Sequence, residues 1–168
     1  YNFFFEEILV EPIKSESEKL KKNKFIINKG LWSVPGKKKL YLLDRRLGSS
    51  SMYKPNKKSF DLHNIKMKDY EKYEITDTVD IDCDTISNQL EELQINNLDY
   101  LKIDTQGAEL EILKGIGKYR PLLIKVEAHF FSMYENVPSW HKLNNFLYEL
   151  NYVLIDWKGI GDHRARIP

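Results

Sequence analysis

Residues 98–117 (LDYLKIDTQGAELEILKGIG) constrain the fold more than any other stretch, because a strand, a turn and a helix follow one another there. The mostly apolar residues Tyr100–Ile103 predict a short buried strand. Residues 105–107 predict a tight turn, and the helical pattern after it closes on two glycines, as helix C-termini commonly do. This order forms half of a βαβ unit and therefore indicates an α/β protein.

Asp104 lies at the carboxyl end of the predicted strand. In open α/β sheets, ligands bind beyond the carboxyl ends of the strands, so Asp104 is placed where a ligand would bind. An acidic residue at the same point can instead cap the helix that follows. Its position alone leaves both roles open.

The rest of the chain alternates predicted strands with predicted helices. The strands are at Ile8–Val10, Phe25–Ile27, Glu74–Ile81, Leu122–Glu127 and Tyr152–Trp157, and the helices at Glu16–Lys22, Thr85–Leu93 and Trp140–Asn151. Ser15 and Glu18 fit a capping box at the start of the first helix. The alternation predicts a single α/β domain over residues 1–168, with a mainly parallel central sheet.

Two segments between these elements are less regular. Pro35-Gly36 separates the apolar runs Leu31–Val34 and Lys39–Leu43, which predicts an antiparallel hairpin. The pattern from Asp44 to Tyr73 is poor, and loops of that length inside compact domains are usually functional or disordered. We therefore expect an excursion over the active face there, rather than a linker between domains.

Composition and charge argue against several classes of function. The 168 residues are 42% hydrophobic and 30% charged, as in ordinary soluble domains, and a net charge of +1 gives no electrostatic case for nucleic acid. No apolar run approaches the roughly 20 residues of a membrane span, and residues 1–9 do not form a basic leader. Cys83 is the only cysteine, which suits a reducing, cytoplasmic setting and rules out an intrachain disulfide.

The sequence lacks the motifs of several other chemistries. Its four histidines are scattered without the spacing of metal ligands, so we expect no metal site. Neither a phosphate-binding Gly-x-x-x-x-Gly-Lys-Ser/Thr loop nor a Gly-x-Ser-x-Gly nucleophile turn occurs.

Charged residues interrupt two strands that should be buried. Because side chains alternate along a strand, Lys102 shares a face with Asp104. For the same reason Lys125, Glu127 and His129 share a face. A buried charge without a partner is costly, so these groups must pair, reach the rim of the sheet or serve a ligand. We interpret Lys102 and Lys125 as structural partners of acidic residues near the rim of the sheet. If the two strands are neighbours, we expect Asp104, Glu127 and His129 to converge.

Glu11 is a third carboxylate at the end of a predicted strand, just before Pro12. In nucleotide-binding α/β folds, an acid at such a place accepts hydrogen bonds from ribose hydroxyls. Acids before turns are common, so this position alone is a weak signal.

Residues 101–109 (LKIDTQGAE), followed by LKG at 113–115, closely resemble the signature of the FkbM family of S-adenosylmethionine-dependent methyltransferases. The usual form of that signature is K-I-D-V-E-G-A-E with L-x-G downstream, so Gln106 stands where the family usually has Glu. Further segments resemble family motifs in the same order along the chain. These are VEP at 10–12, GLWS at 30–33, GSSS at 48–51, DCDTI at 82–86 and VEAH at 126–129.

The resemblance implies a Rossmann-like class I methyltransferase fold, a three-layer sandwich, with S-adenosylmethionine as cofactor. It implies that Glu11 holds the cofactor ribose, that Ser33 lies near the adenine and that Asp104 lies beside the reacting centre. The acceptor would be a hydroxyl of a sugar or another secondary metabolite. Asp104, Glu127 and His129 are the candidate bases for the hydroxyl proton, without a ranking among them. We expect the loop from Gly48 to Lys58 to contact the substrate.

The sequence resembles a family member without its first strand and glycine-rich cofactor loop, because no glycine precedes Gly30 and the first predicted strand resembles the family's second. A glycine-rich loop lets the backbone approach a ligand closely. This feature, together with Gln106, motivates a second hypothesis. On that hypothesis, the chain is a degenerate methyltransferase-like domain that binds a metabolite or partner without catalysis.

Overall fold

A computed structural model of the chain describes residues 6–20, 25–43, 48–62, 71–130 and 132–157. The described strands are β1 (Ile8–Val10), β2 (Phe25–Ile27), β3 (Gly30–Leu31), β4 (Gly36–Leu42), β5 (Asp77–Asp84), β6 (Tyr100–Ile103) and β7 (Leu123–Val126). The described α-helices are α1 (Lys14–Ser17), α2 (Lys57–Leu62), α3 (Ile86–Glu92), α4 (Glu109–Lys114) and α5 (Trp140–Glu149). These elements confirm the prediction that the chain contains both strands and helices and is of the α/β type.

The strands form three small sheets. β1 and β2 are parallel, with Ile8 opposite Phe25 and Val10 opposite Ile27. The second sheet has the order β3-β5-β4, with β3 parallel to β5. β7 follows β6 in the same direction, since Leu123 N donates to Asp99 O (3.2 Å) and Glu127 N to Ile103 O (3.0 Å).

The chain divides into two compact units. The first comprises Tyr1–Lys39, Asp80–Leu101 and Glu111–Ile124, and the second Leu40–Val79, Lys102–Leu110 and Lys125–Pro168. Buried apolar residues of the first unit include Ile27, Ile81, Cys83, Ile86, Leu90, Ile112 and Leu113. Those of the second include Leu40, Leu43, Phe60, Tyr73, Ile103, Leu110, Tyr134 and Leu143. The assignment of residues 1–168 to a single domain stays a prediction.

Helix α3 begins where its sequence predicts. The hydroxyl of Thr85, its N-cap, accepts a hydrogen bond from Asn88 N (3.0 Å). Asp84, just before the cap, accepts further bonds from Asn88 Nδ2 and Gln89 Nε2, both at 2.8 Å. Burial alone would raise the pKa of Asp84, but these bonds and those from Thr85 and Lys29 lower it. Asp84 therefore anchors the helix as an ionised group.

Two local predictions in the first third of the chain are wrong. The hairpin across Pro35-Gly36 does not form, because β5 lies between β3 and β4 and pairs with both. The capping box of Ser15 and Glu18 is also absent, since α1 begins two residues earlier than predicted, after Ile13, and no side chain caps it. Glu18 instead starts a 3-10 turn, Glu18–Leu20.

The prediction of a last strand at Tyr152–Trp157 is also wrong. No strand among the described residues pairs with this segment, and a single extended segment has no ladder of hydrogen bonds to hold it. Its apolar side chains are open to solvent, with Val153 72% and Ile155 74% exposed. The predicted irregular tail after Trp157 lies outside the described residues, as do parts of the excursion between Asp44 and Tyr73.

None of the helices in the described ranges has the length and apolar content that a membrane crossing requires.

Candidate active site

The turn between β6 and α4 is held by the buried carboxylate of Glu109, which is 4% exposed. Its Oε1 atom accepts hydrogen bonds from Thr105 N (3.1 Å), Thr105 Oγ1 (3.2 Å) and Gly107 N (3.1 Å). A negative charge here also suits the helix N-terminus, where backbone N–H groups point outward. The Glu109 carboxylate therefore holds the turn of residues 105–107, which directly follows Asp104.

Gly107 is the residue of this turn that must be glycine. Its φ of +116° lies in a region that L side chains rarely adopt, and an added Cβ would lie 2.6 Å from Val137 Cγ2. Gln106, directly before it, has a left-handed backbone with φ 57°. The two conformations together turn the chain sharply between the end of β6 and the start of α4.

A cavity of about 370 Å³ opens in the second unit. Its polar lining residues include Asp104 at the end of β6, and Glu127 and His129 after β7. The remaining lining residues are Gly48, Ser49, Tyr73, Gln106, Met133 and Tyr134. The expected convergence of Asp104, Glu127 and His129 is thus present, because parallel strands bring their carboxyl ends to the same edge of a sheet.

Asp104 and Glu127 form a pair that titrates together. The hydrogen bond from Glu127 is the largest cause that lowers the pKa of Asp104, and Lys102 at 3.4 Å lowers it further. Burial, the hydrogen bond to Asp104 and the charges of Asp104 and Glu109 raise the pKa of Glu127 to about 7. Two close carboxylates cannot both ionise easily, so near neutral pH Asp104 is ionised and Glu127 exchanges the proton of the pair.

His129 completes the group as a neutral imidazole. Burial lowers its pKa, and the charges of Glu109 and Asp104 offset this only in part. Its ring lies edge-on to Tyr134, with 6.0 Å between the centroids. Within the described part of the chain its Nε2 atom is buried and has no hydrogen-bond partner. A buried nitrogen of this kind is suited to a polar atom of a ligand in the cavity.

Lys102 has the structural pairing expected of it, whereas the pairing of Lys125 stays a prediction. Lys102 forms an ion pair with Asp104, and both side chains are about half exposed. Lys125 is exposed on β7 and does not line the cavity. No group of three or more His, Cys, Asp and Glu residues in the described ranges has the arrangement of a metal site.

Glu11 and Ser33 lie in the first unit. Glu11 follows β1, and its Oε1 atom accepts a hydrogen bond from Ile13 N (2.8 Å), which closes the turn through Pro12. Ser33 Oγ donates to Glu111 Oε2 (2.7 Å). Burial would raise the pKa of Glu111, but bonds from Lys114 and Ser33 lower it. Glu11 and Ser33, which the sequence predicts to bind the cofactor, thus each form a hydrogen bond within the protein.

Three lining residues, Tyr73, Met133 and Tyr134, were not singled out from the sequence. They lie in segments without a recognisable motif, and nothing in the local sequence pattern indicates that they lie near residues 104–129. Tyr134 is fully buried and its hydroxyl donates to Ser49 O (2.7 Å), so it attaches the Gly48–Ser51 segment to the cavity wall. The GSSS segment, in contrast, does match a family motif, and two of its residues, Gly48 and Ser49, line the cavity.

Carboxylates at the carboxyl ends of adjacent parallel strands, facing a cavity, are the arrangement in which α/β enzymes place their active sites. The family model described as Methyltransferase FkbM domain matches residues 6–154. The chain therefore belongs to the FkbM methyltransferase family. No curated protein and no solved structure matches it.

Proposed function

We propose that the protein transfers a methyl group from S-adenosylmethionine to a hydroxyl of a sugar or another secondary metabolite. The single observation that carries this proposal is the Asp104–Glu127 pair beside a neutral His129, in a cavity of an FkbM-family chain. The proposal includes a Rossmann-like three-layer arrangement, a cytoplasmic location, a small-molecule or saccharide partner and no nucleic-acid partner.

The residues present fit S-adenosylmethionine by their chemistry. Glu11, at the carboxyl end of a parallel strand, offers a carboxylate of the kind that accepts bonds from ribose hydroxyls. Ser33 offers a hydroxyl for the adenine side. Asp104 is ionised, and a carboxylate beside aromatic rings suits a cation such as a sulfonium. S-adenosylmethionine, when bound, supplies a methyl group activated by that positive charge.

Glu127 is the proposed general base. A base works best when its pKa lies near the operating pH, and the pKa of Glu127 is about 7. Its ionised form takes the proton of the acceptor hydroxyl, which makes the acceptor oxygen a better nucleophile. Asp104 stays ionised and raises the proton affinity of Glu127 by its charge. His129 Nε2 is available to hold the acceptor hydroxyl in place by a hydrogen bond.

The cavity favours a small polyhydroxylated acceptor. Its volume of about 370 Å³ is at the lower end of small-molecule sites, which run from about 300 to 1,000 Å³. Carboxylate, amide and imidazole groups line it and can bond to several hydroxyls. The rings of Tyr73 and Tyr134 add apolar surface against which a sugar ring can pack.

The proposal is tested by calorimetric titration with S-adenosylmethionine, followed by transfer of its radiolabelled methyl group to a panel of sugars and other hydroxyl compounds. We expect binding heat, and label in at least one acceptor. S-adenosylhomocysteine, which lacks the methyl group, should compete for the same site. Absence of both binding heat and thermal stabilisation would contradict the proposal and favour a domain without catalysis.

Methyl transfer is expected to increase with pH through the titration of Glu127. The base must be ionised to accept a proton, so the rate should rise up to about tenfold per pH unit below pH 7 and level off above it. The rate–pH profile of the wild type measures this, and Glu127→Gln should remove the rising limb. A wild-type rate that is constant or falls from pH 6 to 8 would exclude Glu127 as the base.

A further inference from the structure

Gln106 joins the acidic pair to Tyr134, another residue of the cavity lining. Its Nε2 atom donates to Glu127 Oε2 at 2.6 Å and lies 3.5 Å from Asp104 Oδ1. A carboxylate at position 106 could not donate in this way unless it carried a proton.

The orientation of the Gln106 amide is fixed from its other end. Tyr134 Oη donates mainly to Ser49 O (2.7 Å) and more weakly to Gln106 Oε1 (3.2 Å). The backbone carbonyl of Gln106 accepts from Ser51 Oγ at 2.6 Å. With Oε1 facing the tyrosine hydroxyl, the amide hydrogens must face the carboxylates. The GSSS segment therefore supports the amide through both contacts.

Charged and titratable groups face Glu127 from each element packed around it. The negative groups are Asp104, after β6, and Glu109, at the start of α4. The others near the pair are Lys102 on β6, His129 after β7, and Tyr73 and Tyr134 on the cavity wall. Both acids oppose ionisation of Glu127, whereas the amide of Gln106 favours it.

We propose that Gln106 is a positioning residue whose amide N–H donates to Glu127 and thereby favours the ionised form of that carboxylate. Its N–H donates to the ionised carboxylate, and Tyr134 and Ser49 hold the amide in that orientation. Glutamine at this position gives the cluster a neutral donor where a glutamate would add a third negative charge. The catalytic consequence rests on the proposed function, whereas the effect on the proton of Glu127 does not.

The test compares Gln106→Leu and Gln106→Glu with the wild type. Carboxyl ¹³C NMR of glutamate-labelled protein, with Glu127→Gln to assign the signal, follows the titration of Glu127. We expect Gln106→Leu to move the midpoint upward by about one pH unit, and Gln106→Glu to move it further, because a third carboxylate joins the pair. Matched controls are Gln94→Leu and Gln94→Glu, since Gln94 is exposed and has nearly the same left-handed φ of 58°. The controls should leave the midpoint unchanged.

Tyr134→Phe provides a second, milder variant that removes one hydroxyl and keeps the buried ring. It should raise the midpoint by less than Gln106→Leu does, because the amide remains but is no longer oriented. A midpoint that is unchanged or lower in Gln106→Leu overturns the proposal. The titration needs no acceptor: a raised midpoint in a protein without methyl transfer supports the role of Gln106 and contradicts the proposed function alone.

Discussion

Replacing Asp104 with Asn is expected to lower methyl transfer by about 100-fold or more while the protein stays folded. Proton transfer to a positioned base contributes on the order of 10²- to 10⁴-fold to a rate. Asp104 raises the pKa of Glu127 by its charge and its hydrogen bond, so an amide at position 104 would leave Glu127 a weaker base. The negative charge proposed to face the sulfonium would be lost as well.

The fold should tolerate this change because Asp104 is exposed. Its side chain is 47% exposed, and its ion pair with Lys102 is of the surface type that contributes at most about 1 kcal/mol. Asp80→Asn is a matched control, since Asp80 is 61% exposed and pairs with Lys39 at 3.2 Å. Both variants should unfold at nearly the wild-type temperature, and only Asp104→Asn should lose radiolabel transfer. Full activity in Asp104→Asn would remove this residue from the mechanism.

The part of the site predictable from sequence is the part encoded by local pattern. Residues 100–114 gave a strand, a turn and a helix, and the structure places β6 and α4 there. The alternation of side chains along the predicted strand Leu122–Glu127, when it is continued to residue 129, places Glu127 and His129 on the same face. Both predictions depend only on the strand period and on helix boundaries, which a single sequence contains.

Contacts between distant segments could not be predicted in the same way. The bond between Tyr134 and Ser49 joins residues 85 positions apart, and nothing local to either residue indicates it. The failed hairpin has the same cause: Pro35-Gly36 is a genuine turn signal, but β5 arrives from over 30 residues away and separates β3 from β4. The apolar pattern at Tyr152–Trp157 predicts a strand, but a strand also needs a partner, and none is present among the described residues.

Glu109 has a role that the local sequence pattern does not indicate. An acidic residue at the start of a helix favours the helix N-terminus by its charge. The structure instead shows one buried oxygen that accepts three hydrogen bonds from the turn. The same carboxylate raises the pKa of both Glu127 and His129, so the residue that folds the turn also adjusts the site.

Glu109→Ala is therefore expected to destabilise the protein by about 3 kcal/mol. The substitution leaves the buried Gly107 N–H without its acceptor and removes both bonds to Thr105, and an unsatisfied buried donor costs about 1–3 kcal/mol. For a chain of this size, that loss corresponds to a decrease of roughly 10 °C in Tm. Glu109→Gln keeps a carbonyl oxygen at the position of Oε1 and should cost only about 1 kcal/mol, because a neutral acceptor forms weaker bonds than a carboxylate.

Thermal and urea unfolding followed by circular dichroism measure the two losses. Glu149→Ala is the control, since Glu149 is exposed on α5 and an alanine there suits a helix. Its Tm should change by less than about 2 °C, because surface substitutions usually stay within about 0.5 kcal/mol. We expect the Tm to decrease from the wild type to Glu109→Gln and further to Glu109→Ala. That order would show that the loss of hydrogen-bond acceptors, and not the loss of charge alone, destabilises the protein. Equal destabilisation by Glu109→Ala and Glu109→Gln would show that the charge, and not the three hydrogen bonds, holds the turn.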